Sequence, residues 1–169
     1  MIRIIRVDNM KNKKDVFITN SFEETQALGE KVAKNLKGGG ILALYGNLGD
    51  GKTTFVQGLA KGLGIKRRII SPTFIIVRSY ATKLKSQSSK IKATIQNSKV
   101  FYHIDLYRID SQRDVEGLGI EEIINDPKNI VAIEWAEKMG KLLPKKRWDI
   151  KFEYLDEGRR KITIINYEK

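Results

Sequence analysis

The stretch Gly46-Asn47-Leu48-Gly49-Asp50-Gly51-Lys52-Thr53 matches the pattern G-x-x-x-x-G-K-[ST] of a phosphate-binding P-loop. The apolar run at residues 41–45 predicts a buried strand before it, and residues 52–63 predict a helix after it that ends at Gly64. A P-loop requires this order of strand, glycine-rich loop and helix. The sequence therefore predicts a nucleotide-binding protein.

The residue types of this loop suit the binding of phosphate. Its three glycines allow successive backbone N–H groups to face phosphate oxygens at the positive end of the following helix. Lys52 adds a positive charge at the β- and γ-phosphates, and the Thr53 hydroxyl is a ligand for Mg²⁺. We expect the Asp50 side chain to point outward, because its charge opposes that of phosphate. The predicted nucleotide-binding residues are Gly46, Asn47, Leu48, Gly49, Asp50, Gly51, Lys52, Thr53 and Thr54.

Composition narrows the class of protein. The 169 residues predict a single domain, residues 1–169, and the absence of cysteine excludes disulfides and thiolate metal sites. No apolar run approaches the roughly 20 residues that a membrane-spanning helix needs. The first eight residues are too few and too charged for a secretory leader. We therefore expect a soluble cytoplasmic protein without membrane contact.

The net charge of +12 comes from 32 basic and 20 acidic residues. It is compatible with a polyanionic partner such as RNA or DNA, and equally with a lysine-rich surface that only faces solvent. Residues 82–99, rich in Ser, Gln, Lys and Asn, contain no acidic residue and predict a long mobile basic loop between two strands. A tolerated insertion is the favoured interpretation of this loop, ahead of an arm that contacts a polyanion.

The order of the predicted elements indicates the fold class. A strand at residues 15–19, expected at a sheet edge, precedes a capping-box pattern at residues 21–24 and a helix over residues 22–36. Residues 148–154 and 161–164 alternate in polarity on either side of a turn. The elements predict an α/β, P-loop NTPase-like fold, with a mostly parallel central sheet, helices on both faces and a C-terminal antiparallel β-hairpin.

Two further predicted strands end in acidic side chains. Residues 100–105 contain His103 and Asp105 on one face, and a strand parallel to the P-loop strand would bring Asp105 to the ligand-binding edge. Residues 129–135 are an apolar run that reaches Glu134, a candidate to bind the metal ion or to position the attacking water. His103 is explained equally well as a catalytic residue and as a hydrogen-bonded, partly buried side chain. Arg108 could close the site or pair with Asp105.

The segment Ser71-Pro72-Thr73-Phe74 follows the predicted P-loop helix, where nucleotide hydrolases carry switch segments. Its proline stiffens the backbone, and its two hydroxyl groups are short polar ligands. Composition alone favours a plain turn into a strand at residues 74–80 at least as strongly.

Four separated motifs occur in the order G-N-L-G-D-G-K-T-T, S-P-T-F, H-I-D-L-Y-R and I-E-W. With them the sequence resembles the bacterial TsaE family, also called YjeE, over residues 17–165. The resemblance implies an ATPase that binds ATP with Mg²⁺ and hydrolyses it weakly alone. It also implies TsaB-like and TsaD-like partners, whose complex modifies adenosine 37 of tRNA and needs the hydrolysis for repeated turnover. Contact of this chain with tRNA would then be indirect or weak.

The resemblance also implies roles for individual residues. The implied catalytic residues are Lys52, Thr73, Asp105 and Glu134, and the implied metal ligands are Thr53, Asp105 and Glu134. Thr73 would lie near the γ-phosphate. Adenine contacts would come from residues 20–25 and from the last hairpin, near Gly158 and Arg159. The chain departs from the family where Asp50 replaces the usual alanine, and where residues 82–99 are longer and more basic than usual.

Two other functions remain open on the same fold. A small-molecule or nucleoside kinase would need an arginine-rich lid and an acceptor pocket, for which the sequence offers few residues. A nucleotide-gated RNA-binding module without catalysis is compatible with the charge of +12. A phosphorylated acceptor would identify the kinase, and tight tRNA binding without hydrolysis would identify the RNA-binding module.

Overall fold

The structure of the chain, a computed structural model, contains an eight-stranded mixed sheet. The structure describes residues 3–9, 12–36, 38–70, 76–85 and 98–167. The strands are β1 (Arg3–Asn9), β2 (Asn12–Thr19), β3 (Gly40–Tyr45), β4 (Val77–Lys85), β5 (Ser98–Asp105), β6 (Ile130–Glu134), β7 (Trp148–Asp156) and β8 (Arg159–Asn166). The helices are α1 (Phe22–Ala33), α2 (Lys52–Gly62), α3 (Gln112–Glu116), α4 (Ile120–Asn125) and a 3₁₀ segment (Ala136–Leu142).

The strands lie in the order β1-β2-β8-β7-β3-β6-β5-β4. The four central strands β7, β3, β6 and β5 are parallel, and the outer pairs are antiparallel. The predicted α/β fold with a mostly parallel centre and a C-terminal hairpin, β7–β8, is therefore confirmed. Because β3, β5 and β6 run in one direction, their carboxyl ends meet at one edge of the sheet.

Helices cover both faces of the sheet. One buried cluster joins α1 and α2 to one face, and a second joins α3, α4 and the 3₁₀ segment to the other. Every residue of β6 is buried, which agrees with its unbroken apolar run. The last residue of β6, Glu134, therefore lies at the edge of the sheet where the P-loop lies.

Glycines let α1 and α2 pack backbone against backbone. A Cβ atom on Gly58 would lie 1.9 Å from the carbonyl oxygen of Gln26, and one on Gly29 would lie 2.2 Å from that of Phe55. Neither distance leaves room for a side chain. This close packing holds α2, and with it the P-loop at its N-terminus, against the rest of the fold.

The predictions of local elements around the P-loop are confirmed, whereas the predicted position of an outer strand in the sheet is wrong. The strand before the P-loop and the helix after it are confirmed, with Gly64 in the left-handed region at φ +77°. The prediction of an edge strand at residues 15–19 is wrong, because β2 pairs with β1 on one side and with β8 on the other. The sequence interpretation contains no strand at β1.

Two predicted segments fall wholly or mostly outside the described residues. Thr73 and the rest of residues 71–75 belong to them, and so do residues 86–97 of the predicted 82–99 loop. The flanks of that loop are strand, since β4 continues to Lys85 and β5 begins at Ser98. Among the described residues, no helix combines the length and the apolar character needed to cross a membrane.

Candidate functional site

A cavity of about 410 Å³ lies where β3, β5 and β6 end. The strand register aligns Leu44 with Glu134 and Asp105 with Glu134, so both acidic residues come to the edge at which β3 enters the P-loop. Residues 48, 49 and 51–54 of the P-loop and α2 line the cavity on one side. Asp105 at the end of β5, Glu134 at the end of β6, and Tyr107 and Trp135 just beyond them line the other side.

Lys52 is buried and held by the P-loop itself. Its side chain is 4% exposed, and Nζ donates to the carbonyl oxygens of Gly46, at 2.7 Å, and Asn47, at 2.8 Å. Gly51, at φ +104°, is the N-cap of α2 in a conformation that a side chain would strain. Burial lowers the pKa of the Lys52 ammonium, and the nearby carboxylates, Glu134 foremost, oppose that shift. The loop thus presents a positive charge of fixed direction to the cavity.

Glu134 connects three elements. Its carboxylate accepts from the Thr53 hydroxyl at 2.9 and 3.0 Å, and its Oε1 lies 2.8 Å from Nε2 of His103. Because an ionised carboxylate can only accept, this network assigns the proton to Nε2 of a fully buried His103. Of the two interpretations left open for His103, the structure therefore supports the hydrogen-bonded, buried one, and its partner is a candidate catalytic residue.

Asp105 lines the cavity and shapes the loop that follows it. The side chain is 6% exposed, and Oδ1 accepts from the backbone N–H of Tyr107 at 3.0 Å. The backbone N–H of Leu106 donates to the carbonyl oxygen of Glu134 at 3.2 Å, which ties the loop to β6. Arg108 is exposed and does not line the cavity among the described residues.

The expectation that the Asp50 side chain points outward is wrong. It is 6% exposed and turns beneath the loop, where Oδ2 accepts from the backbone N–H of Asn47 at 2.6 Å. The same oxygen would lie 3.1 Å from a Cβ atom on Gly46. This hydrogen bond from a backbone N–H of the loop offsets part of the cost of burying the Asp50 carboxylate.

The two predicted adenine contacts of the last hairpin do not line the described cavity. Gly158 packs against the segment before α1, with a virtual Cβ 3.1 Å from the carbonyl oxygen of Asn20. Arg159 forms an exposed ion pair with Asp156. The exposed ring of Phe22, inside the predicted 20–25 segment, does line the cavity.

The neighbouring Arg160 is the arginine that reaches the P-loop. It is 9% exposed, its guanidinium lies 5.6 Å from the Phe22 ring centre, and Nη2 donates to the carbonyl oxygen of Gly49 at 3.4 Å. The alternation of side chains along β8 could have identified Arg160 from the sequence, because Ile162 and Ile164 face the core and Arg160 lies on their side of the strand.

Trp135 contributes more to the site than packing. Its backbone is left-handed at φ +58°. Among the described residues, no other non-glycine residue has a positive φ. The ring lies 4.2 Å from Nζ of Lys52 and 5.3 Å from the centre of the Tyr107 ring. No local sequence pattern identifies this backbone conformation.

The oxygen atoms on this cavity fit Mg²⁺. Thr53, Asp105 and Glu134 supply a hydroxyl and two carboxylates to one space, and oxygen is the ligand atom that Mg²⁺ prefers. Within the described ranges, no group of three or more His, Cys, Asp or Glu side chains could hold a metal ion. A site with two carboxylates suits Mg²⁺, which keeps several waters and is completed by substrate phosphates.

Comparisons with known proteins identify the family. The family model "Threonylcarbamoyl adenosine biosynthesis protein TsaE" matches residues 19–162. The tRNA threonylcarbamoyladenosine biosynthesis protein TsaE of Rickettsia felis is 36% identical over 89% of this chain and 79% of its own length. That of Treponema pallidum is 33% identical over 87% of this chain and 97% of its own length.

A solved structure is similar over almost the whole chain. The crystal structure of YdiB from Bacillus subtilis superposes with a TM-score of 0.70 and 29% identity. The match covers 95% of this chain and 89% of YdiB. The TsaE protein of the same organism is 36% identical over 84% of this chain and 79% of its own length. Sequence and fold agree, and the chain belongs to the TsaE family of tRNA threonylcarbamoyladenosine biosynthesis proteins.

Proposed function

We propose that this chain is a Mg²⁺-dependent ATPase that supports repeated turnover of a TsaB-like and TsaD-like complex modifying adenosine 37 of tRNA. The reaction transfers the γ-phosphoryl group of ATP to water. The family's role in tRNA threonylcarbamoyladenosine biosynthesis supports the pathway. The observation that carries the proposed chemistry is the contact of Thr53 on α2 with Glu134 at the end of β6, beside a buried P-loop lysine.

The P-loop binds and orients the phosphates in this proposal. Lys52 holds its direction through two backbone carbonyls, so its charge is already aimed when a nucleotide arrives. The N-terminus of α2 adds its partial positive charge. Such preorganised groups suit phosphoryl transfer, in which the protein mainly positions the reactants and stabilises charge.

Glu134 orients water or holds the metal ion in this proposal. The carboxylate is 2% exposed and is held by Thr53 and His103, yet four lone-pair positions exceed the bonds described for it. A remaining position on Oε2 can accept from a water in the cavity. Mg²⁺, which Thr53, Glu134 and Asp105 would hold, supplies neutralisation of the phosphate charge when bound.

The exposure of the cavity to water supports a requirement for partner proteins. Tyr107 and the P-loop residue Leu48 are exposed at the cavity, at 41% and 74%. Water that reaches the reacting groups weakens their electrostatic interactions, and a protein that covers the cavity would remove it. We therefore expect weak hydrolysis by the chain alone and faster hydrolysis with its partners.

The test is ATP hydrolysis by the chain alone and with TsaB-like and TsaD-like proteins. Lys52→Ala should weaken ATP binding about 100-fold, because the phosphates lose a charged hydrogen-bond donor. Glu134→Gln should bind ATP normally and lose at least about 100-fold in hydrolysis rate. Glu122→Gln, an exposed change on α4, is the matched control and should hydrolyse at the wild-type rate.

The outcomes separate the competing functions. Normal hydrolysis by Glu134→Gln would remove its assigned role. Bound ATP that is never hydrolysed, with or without the partners, would contradict the ATPase and leave family membership intact. Radioactive phosphate transferred to a nucleoside, and not to water, would identify a kinase.

A further inference from the structure

A second cavity lies at the opposite end of α2 from the P-loop. Its volume is about 340 Å³, and its polar lining consists of the amides of Gln26 and Gln57 and the cations Lys61, Arg67 and Arg68. The 11 residues of α2 span about 16 Å at 1.5 Å per residue. No residue lines both cavities, so this basic cleft, defined by those five side chains, is separate from the nucleotide site.

The basic cleft has a fixed backbone. After α2, the N–H of Ile65 donates to the carbonyl oxygen of Ala60 at 3.0 Å, and Ile69 is buried at 3% exposure. The Gln57 amide donates to the carbonyl oxygen of Ile69 at 3.1 Å and accepts from Gln26 at 2.9 Å. The tripeptide Lys66-Arg67-Arg68 lies between these anchors with its three side chains exposed.

The positive charge of the cleft is largely uncompensated. Within the part of the chain that the structure describes, no ion pair joins Arg67 or Arg68 to a carboxylate, and Lys61 pairs with Glu30 at 3.1 Å. That pair is worth little, since Lys61 is 73% exposed. The three cations of the cleft therefore face one acidic side chain. The helix dipole explains Lys61, in the last turn of α2, but its effect ends before Lys66.

We propose that the basic cleft binds the phosphate backbone of RNA. Guanidinium groups match phosphate oxygens with two parallel hydrogen bonds, and the amides add uncharged donors. The polar and aliphatic lining suits contacts to the backbone and not the stacking of bases. The family acts in tRNA modification, so tRNA is the RNA to test. The inference goes beyond the proposed ATPase and does not depend on it.

The experiment measures binding of the full chain to a fluorescent, unmodified tRNA transcript by anisotropy at several salt concentrations. Arg67→Ala/Arg68→Ala should weaken binding about tenfold at 0.1 M salt and reduce the salt slope by about two, one per lost phosphate contact. Lys145→Ala/Lys146→Ala removes the same charge from another exposed pair and should change affinity less than about twofold. Arg67→Lys/Arg68→Lys should restore most of the salt slope.

Several results would overturn the proposal. Wild-type chain that does not bind the tRNA, or equal losses in the 67/68 and 145/146 variants, would contradict a specific cleft. Capture of a polyglutamate peptide in place of tRNA would identify an acidic protein as the partner. Lys52→Ala should keep its tRNA affinity, so failure of the ATPase proposal and failure of this one are distinguishable. Thermal unfolding of both double variants checks that they fold.

Discussion

The two ends of α2 carry the same kind of charge in opposite surroundings. At the N-terminus, Lys52 is buried, bonded to two carbonyl oxygens and covered by the Trp135 ring. At the C-terminus, Lys61 and residues 66–68 point into solvent. A buried cation is fixed in one orientation and contacts one ligand. Exposed cations attract a partner through an electrostatic field that salt screens. The comparison predicts that changes at the first end alter chemistry and changes at the second alter salt-dependent association.

The largest effect should come from breaking the helix packing that holds both ends in place. Gly58→Ala puts a Cβ atom 1.9 Å from the carbonyl oxygen of Gln26, so α1 must shift. The better helix propensity of alanine contributes only about 1 kcal/mol. Steric cost should win, and we expect the free energy of unfolding in urea to fall by about 3 kcal/mol or more.

Gly117→Ala is the matched control for that change. Gly117 has φ −84° and no atom within 4 Å of a virtual Cβ. Its substitution should alter the free energy of unfolding by less than about 0.5 kcal/mol. Wild-type stability in Gly58→Ala would show that α1 and α2 do not pack this closely.

At the buried end, His103 is expected to act through Glu134. His103→Ala removes the Nε2 contact that orients the carboxylate, and we expect a 10- to 100-fold loss in ATP hydrolysis, roughly the effect of deleting a supporting hydrogen bond at a metal site. ATP affinity should change much less than the hydrolysis rate. His103→Gln keeps an N–H donor and should recover part of the rate. Loss of stability in both variants without a difference in rate would make His103 purely structural.

Asp50 tests whether the loop at the buried end supports its own shape. Asp50→Ala leaves the Asn47 N–H without its acceptor, which should lower the free energy of unfolding by about 1–2 kcal/mol. Asp50→Asn keeps an acceptor oxygen and should cost less. Both are measured by urea unfolding without nucleotide. Equal stability of Asp50→Ala and the wild type would mean that water or a backbone shift replaces the carboxylate.

What could be predicted from the sequence depends on the range of the interactions involved. The P-loop, its strand and its helix follow from glycine spacing and apolar runs, which are local. The position of Glu134 at the ligand edge also follows, because an unbroken apolar run ends there. The interior place of β2 depends on pairing with β1 and β8, which are far apart in sequence, and no local pattern encodes it.

Side-chain direction divides in the same way. Arg160 could have been preferred to Arg159, since alternation with Ile162 and Ile164 determines which one faces inward. The inward turn of Asp50 could not, because it depends on a loop N–H that needs an acceptor. The left-handed backbone of Trp135 likewise becomes visible only with the ring lying over Lys52.

The smallest expected effect separates the two ends by pH. Burial holds the pKa of Lys52 below its usual 10.5, so its charge is lost at a lower pH than that of a lysine in water. Between that lowered pKa and 10.5, the unfolded chain binds more protons than the folded chain. Lys52 therefore makes the free energy of unfolding rise with pH in that range. Phosphate favours the charged form, so ADP affinity should instead fall a few-fold as the pH rises toward 10.5, and binding should take up protons.

Calorimetry of ADP binding in two buffers of different ionisation enthalpy measures both the affinity and the proton uptake. Lys52→Arg keeps its charge throughout this range, so its pH dependence should vanish even if its affinity is lower. The same fall in Lys52→Arg would assign the titration to another group. Binding of tRNA at the far end of α2 should instead respond to salt across the same pH range.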